Sequence, residues 1–215
     1  MEHKLKVQLS PKEDLELSKT NISKVVDILD GKDFSELNHA VLNVLKNIVR
    51  EISKLENCIN ELEYASLHTR NIFELYLILT HIYSDKDALD CWYGELHKDS
   101  EQVREGFRKL LLNKGLDTSP LDVAKDFEDN AIEKSPYVSK RNFNISNLAK
   151  IHGYEDDYNF VYKLSSKLVH PSSMKVNYYE VLIKNDKYLK TMITVAMHFG
   201  QKSEKLAEII RFEIA

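Results

Sequence analysis

Between Gly31 and Gly94 the chain contains neither proline nor glycine. Within this stretch apolar residues recur every three or four positions, which is the spacing of one helix face. They are Leu37, Val41, Val44, Ile48, Ile52, Leu55, Ile59 and Leu62. Since nothing here breaks a helix, the stretch predicts one or two long helices over residues 33–83. Thirty helical residues span about 45 Å, so we expect helices that run the length of a bundle or form a dimer.

The rest of the chain is also poor in turn-forming residues, with 6 glycines and 4 prolines among 215 residues. Hydrophobic residues make up 43% of the sequence, which is enough for a substantial core. We therefore expect an all-α fold, a single-domain bundle of six to eight helices with long antiparallel helices. In this prediction residues 11–215 form the domain, and residues 1–10 form an N-terminal arm or a short strand.

Capping and breaking residues divide the chain into separate helices. Ser10, Pro11 and Glu13 predict a capping box with proline at the first helical position, and Gly31 ends that helix. Residues 135–144 are predicted to be a loop. The predicted helices cover residues 11–30, 33–83 (capped by Asp33 with Glu36), 85–114, 119–134, 145–151, 155–169 and 177–212 (begun by Asn177 with Glu180 and broken near Asn185).

Charge, cysteines and motifs narrow the class of protein. The net charge of -4 argues against a surface built for non-specific nucleic-acid binding. Cys58 and Cys91 lack CxxC spacing, so we expect two reduced thiols. The sequence has no membrane-length apolar run, no signal-peptide pattern and no zinc, calcium or phosphate-loop motif. We expect a soluble cytoplasmic protein with no membrane contact, no cofactor and no metal.

The first candidate for chemistry is the segment VYKLSSKLVHPSS, residues 161–173. At 100° per residue, Lys163, Ser166 and His170 share the side of a helix that faces away from its apolar side. Pro171 disfavours helical geometry at His170, so this histidine lies at the carboxyl end, where the helix dipole favours the protonated imidazole. Two interpretations stay open: a general acid–base histidine beside a lysine and a hydroxyl, or a solvated face that ends in a stabilising cation.

The second candidate is a polar stripe that runs along the most apolar stretch, residues 72–79. Arg70, Glu74 and His81 fall within about 40° of one another on the helical wheel. Ionisable groups on a buried helix are costly unless they are paired or hydrogen-bonded. The stripe predicts either an internal Arg70–Glu74 pair that fixes helix packing, or a composite site that lines a pocket.

Taken together, the two candidates resemble a bacterial all-helical domain family of unknown function. In that family a tyrosine is followed four residues later by a serine and after four more by His-Pro-Ser. The resemblance covers about residues 60–175. The matching residues are Tyr162, Ser166 and His170-Pro171-Ser172, with the Arg70-x3-Glu74 pattern on an earlier helix.

The motif is also similar to that of HEPN domains, the helical modules of prokaryotic toxin and defence proteins. Many HEPN domains are metal-independent ribonucleases that act as dimers and carry an arginine and a histidine separated by four to six residues. In this sequence Lys163, with six residues between it and His170, stands in the place of that arginine. Lysine lacks the planar, bidentate phosphate fork of arginine.

The resemblance implies a metal-independent endoribonuclease of bacterial stress or phage defence. In that prediction His170 is the general acid–base, and Lys163 and Arg70 stabilise the charge of the phosphorane. Glu74 holds Arg70 in place. The implied partners are an RNA substrate, a second copy of the chain, and a protein partner such as an antitoxin. The alternative is a non-enzymatic helical module that dimerises or recruits a partner. The predicted binding residues are Tyr162, Ser166, Ser172 and His81.

Overall fold

The structure is a computed structural model that describes residues 9–31, 35–133 and 143–214. Within these residues every regular element is an α-helix and none is a strand, so the predicted all-α class is confirmed. The described residues form nine helices, so the expected count of six to eight is wrong. The helices are α1 Pro11–Asp30, α2 Glu36–Asn57, α3 Leu62–Ser84, α4 Ala88–Asn113, α5 Ser119–Glu133, α6 Ile145–Ile151, α7 Glu155–Val169, α8 Ser173–Lys184 and α9 Asp186–Ile214.

The count reaches nine because both long stretches divide: 33–83 forms two helices, which the prediction allowed, and the predicted break near Asn185 is present. The stretch 33–83 breaks after α2, where a turn closed by the bond from the Glu61 amide to the Cys58 carbonyl (2.9 Å) reverses the chain. The last stretch breaks at Asn185, which caps α8 and precedes α9. In the first case the reversal lets the apolar faces of α2 and α3 bury each other, which one continuous helix could not do.

Local signals fix the bounds of several helices as predicted. Ser10 Oγ accepts a bond from the Glu13 amide (3.3 Å) and Glu13 Oε2 accepts one from the Ser10 amide (2.8 Å), which completes the predicted capping box of α1. The helices α6 and α7 also begin and end at the predicted residues. Gly153 separates them with a φ of +75°, a left-handed conformation that favours glycine.

Two predicted helix starts differ from the structure. Ser35 Oγ caps α2 by accepting a bond from the Asn38 amide (3.1 Å), whereas the predicted cap Asp33 lies outside the described residues. Ser172 caps α8, so the helix begins one turn before the predicted start at Asn177. Ser172, which directly follows Pro171, is the residue that caps the helix, and the pattern of Asn177 and Glu180 does not mark its start. The N-terminal arm or strand and most of the predicted loop 135–144 also lie outside the described residues.

The contacts divide the chain into two compact units, the first made from residues 1–84 and 145–215 and the second from residues 85–144. In the second unit α4 and α5 form a hairpin that is joined by two ion pairs, Arg104–Glu128 and Arg108–Asp122 (2.6 Å). None of the described helices combines the length and apolar character needed to cross a membrane. All the candidate residues lie in the first unit.

Within the first unit, α1 and α2 form an antiparallel pair. Asp30 at the end of α1 binds Lys46 near the middle of α2 (2.9 Å). Lys19, half-way along α1, binds Glu56 at the end of α2 (2.5 Å). The short turn after α2 then makes α3 antiparallel to α2, so the expected antiparallel arrangement holds for the first three helices.

The long helix α9 runs parallel to α3, contrary to that expectation. The Thr69 hydroxyl donates to the Met192 carbonyl (3.2 Å) near the start of α9. Tyr83, near the end of α3, donates to Glu213 at the end of α9. Parallel neighbours need a long crossover connection, and residues 85–185 provide it. That crossover carries α7 and α8, which bear the candidate motif.

The predicted apolar stripe of α2 and the start of α3 forms the centre of the core. Its α2 members pack against α1, α3 and α9, whereas Leu62 on α3 packs with Leu168 of α7 and Leu182 of α8. Removal from water is worth roughly 1.5–3 kcal/mol for each large side chain. The fully or nearly fully buried members are Val41, Val44, Ile48, Ile52, Leu55 and Leu62.

One carboxylate is buried where α2 meets α3. Glu51 is 8% exposed and accepts bonds from Lys54 Nζ (2.6 Å), His68 Nδ1 (2.8 Å) and Asn71 Nδ2 (2.8 Å). Burial raises the pKa of Glu51, but the hydrogen bonds from Lys54, Asn71 and His68 outweigh burial, so the pKa is lowered. The ionised carboxylate therefore joins the two helices.

We expect Glu51→Gln to lower the free energy of unfolding at pH 7 by about 1–3 kcal/mol, because a charge-assisted acceptor is lost. A lowered folded pKa stabilises the protein above the unfolded value of about 4.3, and this stabilisation disappears as the pH falls through the folded value. The difference between wild type and variant should therefore shrink below about pH 4. Urea unfolding at a series of pH values tests this, with Glu101→Gln on the exposed surface as the control. An equal difference at all pH values would contradict the interpretation.

Candidate functional site

The position of the candidate groups follows from the direction of α7. This helix lies against α3 and runs opposite to it. Tyr154, just before α7, contacts the rings of Phe73 (6.3 Å) and Tyr76 (5.7 Å), whereas Tyr162, two turns later, contacts the earlier residue Arg70. The carboxyl end of α7 therefore lies beside the start of α3.

Arg70, Glu74 and Tyr162 come together as one group. Arg70 Nε donates to Glu74 Oε1 at 2.7 Å, and the two side chains are 27% and 20% exposed. The guanidinium carbon lies 4.5 Å from the centre of the Tyr162 ring, within the range of a cation–π contact. The guanidinium thus has an ionic partner along its own helix and an aromatic partner on α7.

Tyr158 belongs to the same group, although the sequence reasoning did not select it. Its ring stacks on Tyr162 at 5.5 Å and touches Phe73 at 6.5 Å. Burial raises the pKa of Tyr158, and the negative charge of Glu74 raises it further. Its spacing of four residues before Tyr162 was the available signal, since side chains at i and i+4 meet on a helix.

His170 lies apart from this group within one chain. It is exposed and caps α7 in an extended conformation (ψ 157°), as its position before Pro171 predicts. Eight residues of helical rise, about 12 Å along the axis, separate it from Tyr162. The structure therefore does not join His170 to Arg70 and Glu74 in one chain.

Two lysines and His170 form a row on the exposed side of α7. Lys163, Lys167 and His170 are all exposed and follow one another at helical spacings of four and three residues. Ser166 is half-buried beside this row, and its backbone carbonyl accepts the bond from the His170 amide (3.3 Å). The predicted common face of Lys163, Ser166 and His170 therefore exists and is open to solvent.

The Ser172 hydroxyl has a structural task. Its Oγ accepts a bond from the Lys175 amide (3.1 Å) at the start of α8 and donates to the Lys167 carbonyl (2.7 Å) at the end of α7. Ser172 therefore fixes the turn that follows His170. Both bonds join residues within five positions of Ser172, so they form without any contribution from other helices.

His81 lies near the far end of α3 and contacts a histidine that the sequence reasoning did not select. The Nδ1 atom of His81 is 3.3 Å from Nε2 of His152, and the two rings meet edge to face. His152 follows α6, which packs on α3. The pair is remote from His170, because His81 lies near the end of α3 and His170 lies beside the start of α3.

A second polar group was also missed. The Tyr154 hydroxyl lies 3.1 Å from the Tyr76 hydroxyl and accepts a bond from Lys202 Nζ (3.0 Å). Burial raises the pKa of Tyr76, and the bond to Tyr154 raises it further. The three residues come from α9, α3 and the turn before α7, so no local spacing could have indicated them.

A groove lies beside the turn that carries His170. It comprises a hollow of about 590 Å³ and an adjoining hollow of about 350 Å³. The two hollows share Val169, Lys175 and Tyr179, and Pro171 lines the smaller one. The residues on both sides of His170 in sequence therefore line this groove. The other residues of the larger hollow are Asn60, Glu61, Leu62, Glu63, Tyr64, Leu67 and Ile183.

The groove contains one polar trio. Lys175 Nζ lies 3.6 Å from Glu63 Oε1. The charge of Glu63 raises the pKa of Tyr179, and burial and a hydrogen bond to Glu63 raise it further, so the phenol stays protonated. The described residues contain no group of three or more His, Cys, Asp or Glu side chains placed to hold a metal ion.

Comparison with known proteins gives a family and no activity. A protein-family model, described as a family of unknown function (DUF5677), matches residues 55–188. The match spans α3 to α8 and includes Arg70, Glu74 and His170. No curated protein and no solved structure matches the chain significantly.

The contacts of Arg70 predict a contribution to stability. We expect Arg70→Met to lower the free energy of unfolding by about 1–2 kcal/mol, because Glu74 loses its partner and the cation–π contact disappears. Lys163→Met, which removes an exposed cation from α7, should change it by less than about 0.5 kcal/mol. Urea unfolding of both variants provides the measurement. Equal effects would show that the contacts of Arg70 do not stabilise the fold.

Proposed function

Because the chain belongs to the DUF5677 family, whose function is unknown, we propose for it the activity that its exposed histidine supports best. It is a HEPN-like, metal-independent endoribonuclease of bacterial stress or phage defence. The observation that carries this proposal is the position of His170, exposed at the carboxyl end of α7 in one row with Lys163 and Lys167.

The proposed reaction needs only groups that gain or lose a proton and groups that bind phosphate. The 2′-hydroxyl of the RNA gives its proton to the His170 imidazole and attacks the adjacent phosphorus. The P–O2′ bond forms, the P–O5′ bond breaks, and the 5′ oxygen leaves with a proton. The products are a 2′,3′-cyclic phosphate and a 5′-hydroxyl. An imidazole suits this task because it can accept and donate a proton near neutral pH.

The lysine row supports the binding of the substrate backbone. Lys163 and Lys167 lie on the same exposed face as His170, so a phosphate beside the imidazole is within reach of flexible ammonium groups. Ammonium groups stabilise the extra negative charge of the phosphorane. This role replaces the bidentate contact that an arginine at position 163 would have made.

A second copy of the chain would complete the reaction. A single imidazole that takes the 2′ proton cannot at the same moment give a proton to the leaving 5′ oxygen. Two copies that face each other through α7 would provide one histidine for each proton transfer. The exposure of His170 supports this arrangement, because a buried histidine could not meet its counterpart.

In this proposal Arg70 and Glu74 act as positioning residues in their own chain. Glu74 and Tyr162 already hold the guanidinium, and His170 lies two helical turns beyond that contact. The pair keeps α7 on α3 and thereby holds His170 at the end of a fixed helix.

We expect His170→Ala to abolish RNA cleavage, a loss of at least about 100-fold, because the proton acceptor is removed. The helical circular dichroism and the melting temperature should stay unchanged, since the side chain is exposed. Cleavage of a labelled RNA in the presence of EDTA gives the measurement. His39→Ala, which removes an exposed histidine from α2, is the matched control and should retain activity. Absence of cleavage by the wild type would end the proposal.

A second candidate is a non-enzymatic helical module that binds a protein partner such as an antitoxin. It is favoured by the contacts of Arg70, because a guanidinium held by Glu74 and Tyr162 behaves as a structural group. In this case His170 serves only as the residue that ends α7.

The two candidates predict different effects of one variant on growth. If the chain is a ribonuclease, expression of the wild type should slow growth, and His170→Ala should relieve the effect. If the chain is a binding module, a stoichiometric partner should co-purify equally with the wild type and with His170→Ala. Co-purification that depends on His170 would contradict the binding module.

A further inference from the structure

The groove beside His170 is lined by apolar side chains and by aromatic rings. Leu62 and Leu67 from α3 and Val169 from α7 provide apolar surface, and the lining also includes the exposed residues Tyr64 and Tyr179. A volume of about 590 Å³ falls within the usual range of small-ligand sites, about 300–1,000 Å³. Apolar walls and aromatic faces are the surfaces on which an unstacked nucleobase packs.

The charges that line the groove favour the base of a nucleotide over its phosphate. Glu61 and Glu63 line it, with Lys175 as the cation of the lining. This acidic lining disfavours a phosphate inside the groove and favours a group that donates hydrogen bonds. The cations Lys163 and Lys167 lie outside it on α7. A nucleotide would therefore place its base in the groove and its phosphate on α7. In the sequence, His170 lies between the lysines of α7 and the groove residues Pro171 and Lys175.

We propose that this groove binds the base of the nucleotide whose 2′-hydroxyl reacts, and that Glu63 gives it a preference for guanine. The inference rests on the proposed ribonuclease function, since it assigns the substrate preference of the same site.

Guanine is favoured because of the donors on its Watson–Crick edge. It presents two adjacent donors, N1–H and the N2 amino group, which fit the two oxygens of one carboxylate in a bidentate pair. Adenine, cytosine and uracil each present one donor group on that edge. A carboxylate has about four lone-pair sites, so Glu63 can accept these bonds beside its contacts with Lys175 and Tyr179.

The test uses four DNA oligonucleotides that each carry one ribonucleotide, G, A, C or U, at the same position. Only the ribonucleotide has the attacking 2′-hydroxyl, so cleavage is restricted to one bond. We expect the wild type to cleave the guanosine substrate at least about tenfold faster than the others. Glu63→Gln should reduce this ratio to near one, whereas the control Glu101→Gln, on the exposed surface of α4 outside the groove, should keep it.

A change in the substrate makes the same test without altering the fold. Replacing guanosine by inosine removes the N2 amino donor and should slow cleavage by about tenfold. The proposal is overturned if the wild type cleaves the four substrates equally, if inosine reacts as fast as guanosine, or if Glu63→Gln keeps the full preference.

Binding separates failure of this inference from failure of the ribonuclease proposal. If no substrate is cleaved, the ribonuclease proposal fails, and titration calorimetry with guanosine 3′-monophosphate decides on the groove. Binding at least tenfold tighter than that of adenosine 3′-monophosphate, lost in Glu63→Gln and kept in His170→Ala, would support the groove as a guanine site. Equal binding of both nucleotides, or no binding, would overturn it.

Discussion

The packing of α7 against α3 determines where each candidate group lies. Tyr154 contacts Phe73 and Tyr76 near the middle of α3. Tyr162 contacts Arg70, which is closer to the start of α3. These contacts fix both the direction and the register of α7. Since α7 runs opposite to α3, its carboxyl end and His170 lie beside the start of α3, next to the groove. A shift of one helical turn would separate Tyr162 from Arg70 and move His170 away from the groove.

The charged groups of the first unit divide into two kinds. Glu51, Arg70 and Glu74 are largely buried and have partners, so their electrostatic energy contributes to the joints between helices. Lys163 and Lys167 are exposed, so their charges remain hydrated and are available to a ligand. A stable framework with exposed lysines on α7 is therefore compatible with either candidate function, since the ribonuclease would use this face and the binding module does not depend on His170.

Prediction from sequence was accurate where contacts are local. The capping box of α1, the bounds of α6 and α7, the extended His170 and the Arg70–Glu74 pair all depend on residues within four positions of one another. Helix geometry fixes such neighbours regardless of what packs on the helix. One error concerned a local signal, the Ser172 cap that begins α8. The others concerned connections, namely the number of helices and the parallel course of α9. The periodic apolar pattern indicates which face of a helix is buried, but it is equally compatible with either direction of the partner helix.

The sequence by itself determined that the chain is helical, which residues form its core stripe, and that Lys163 and His170 share a face at a helix end. Only the tertiary structure decided that Tyr162 lies against Arg70, with Tyr158 stacked on it, and that His81 meets His152. The same is true of the meeting of Glu63, Lys175 and Tyr179 beside the turn after α7. The physical reason is the distance along the chain. Bonds within one helical turn follow from the backbone geometry. Contacts between residues a hundred positions apart depend on the register and direction of whole helices. The periodic pattern of apolar residues does not specify that register and direction.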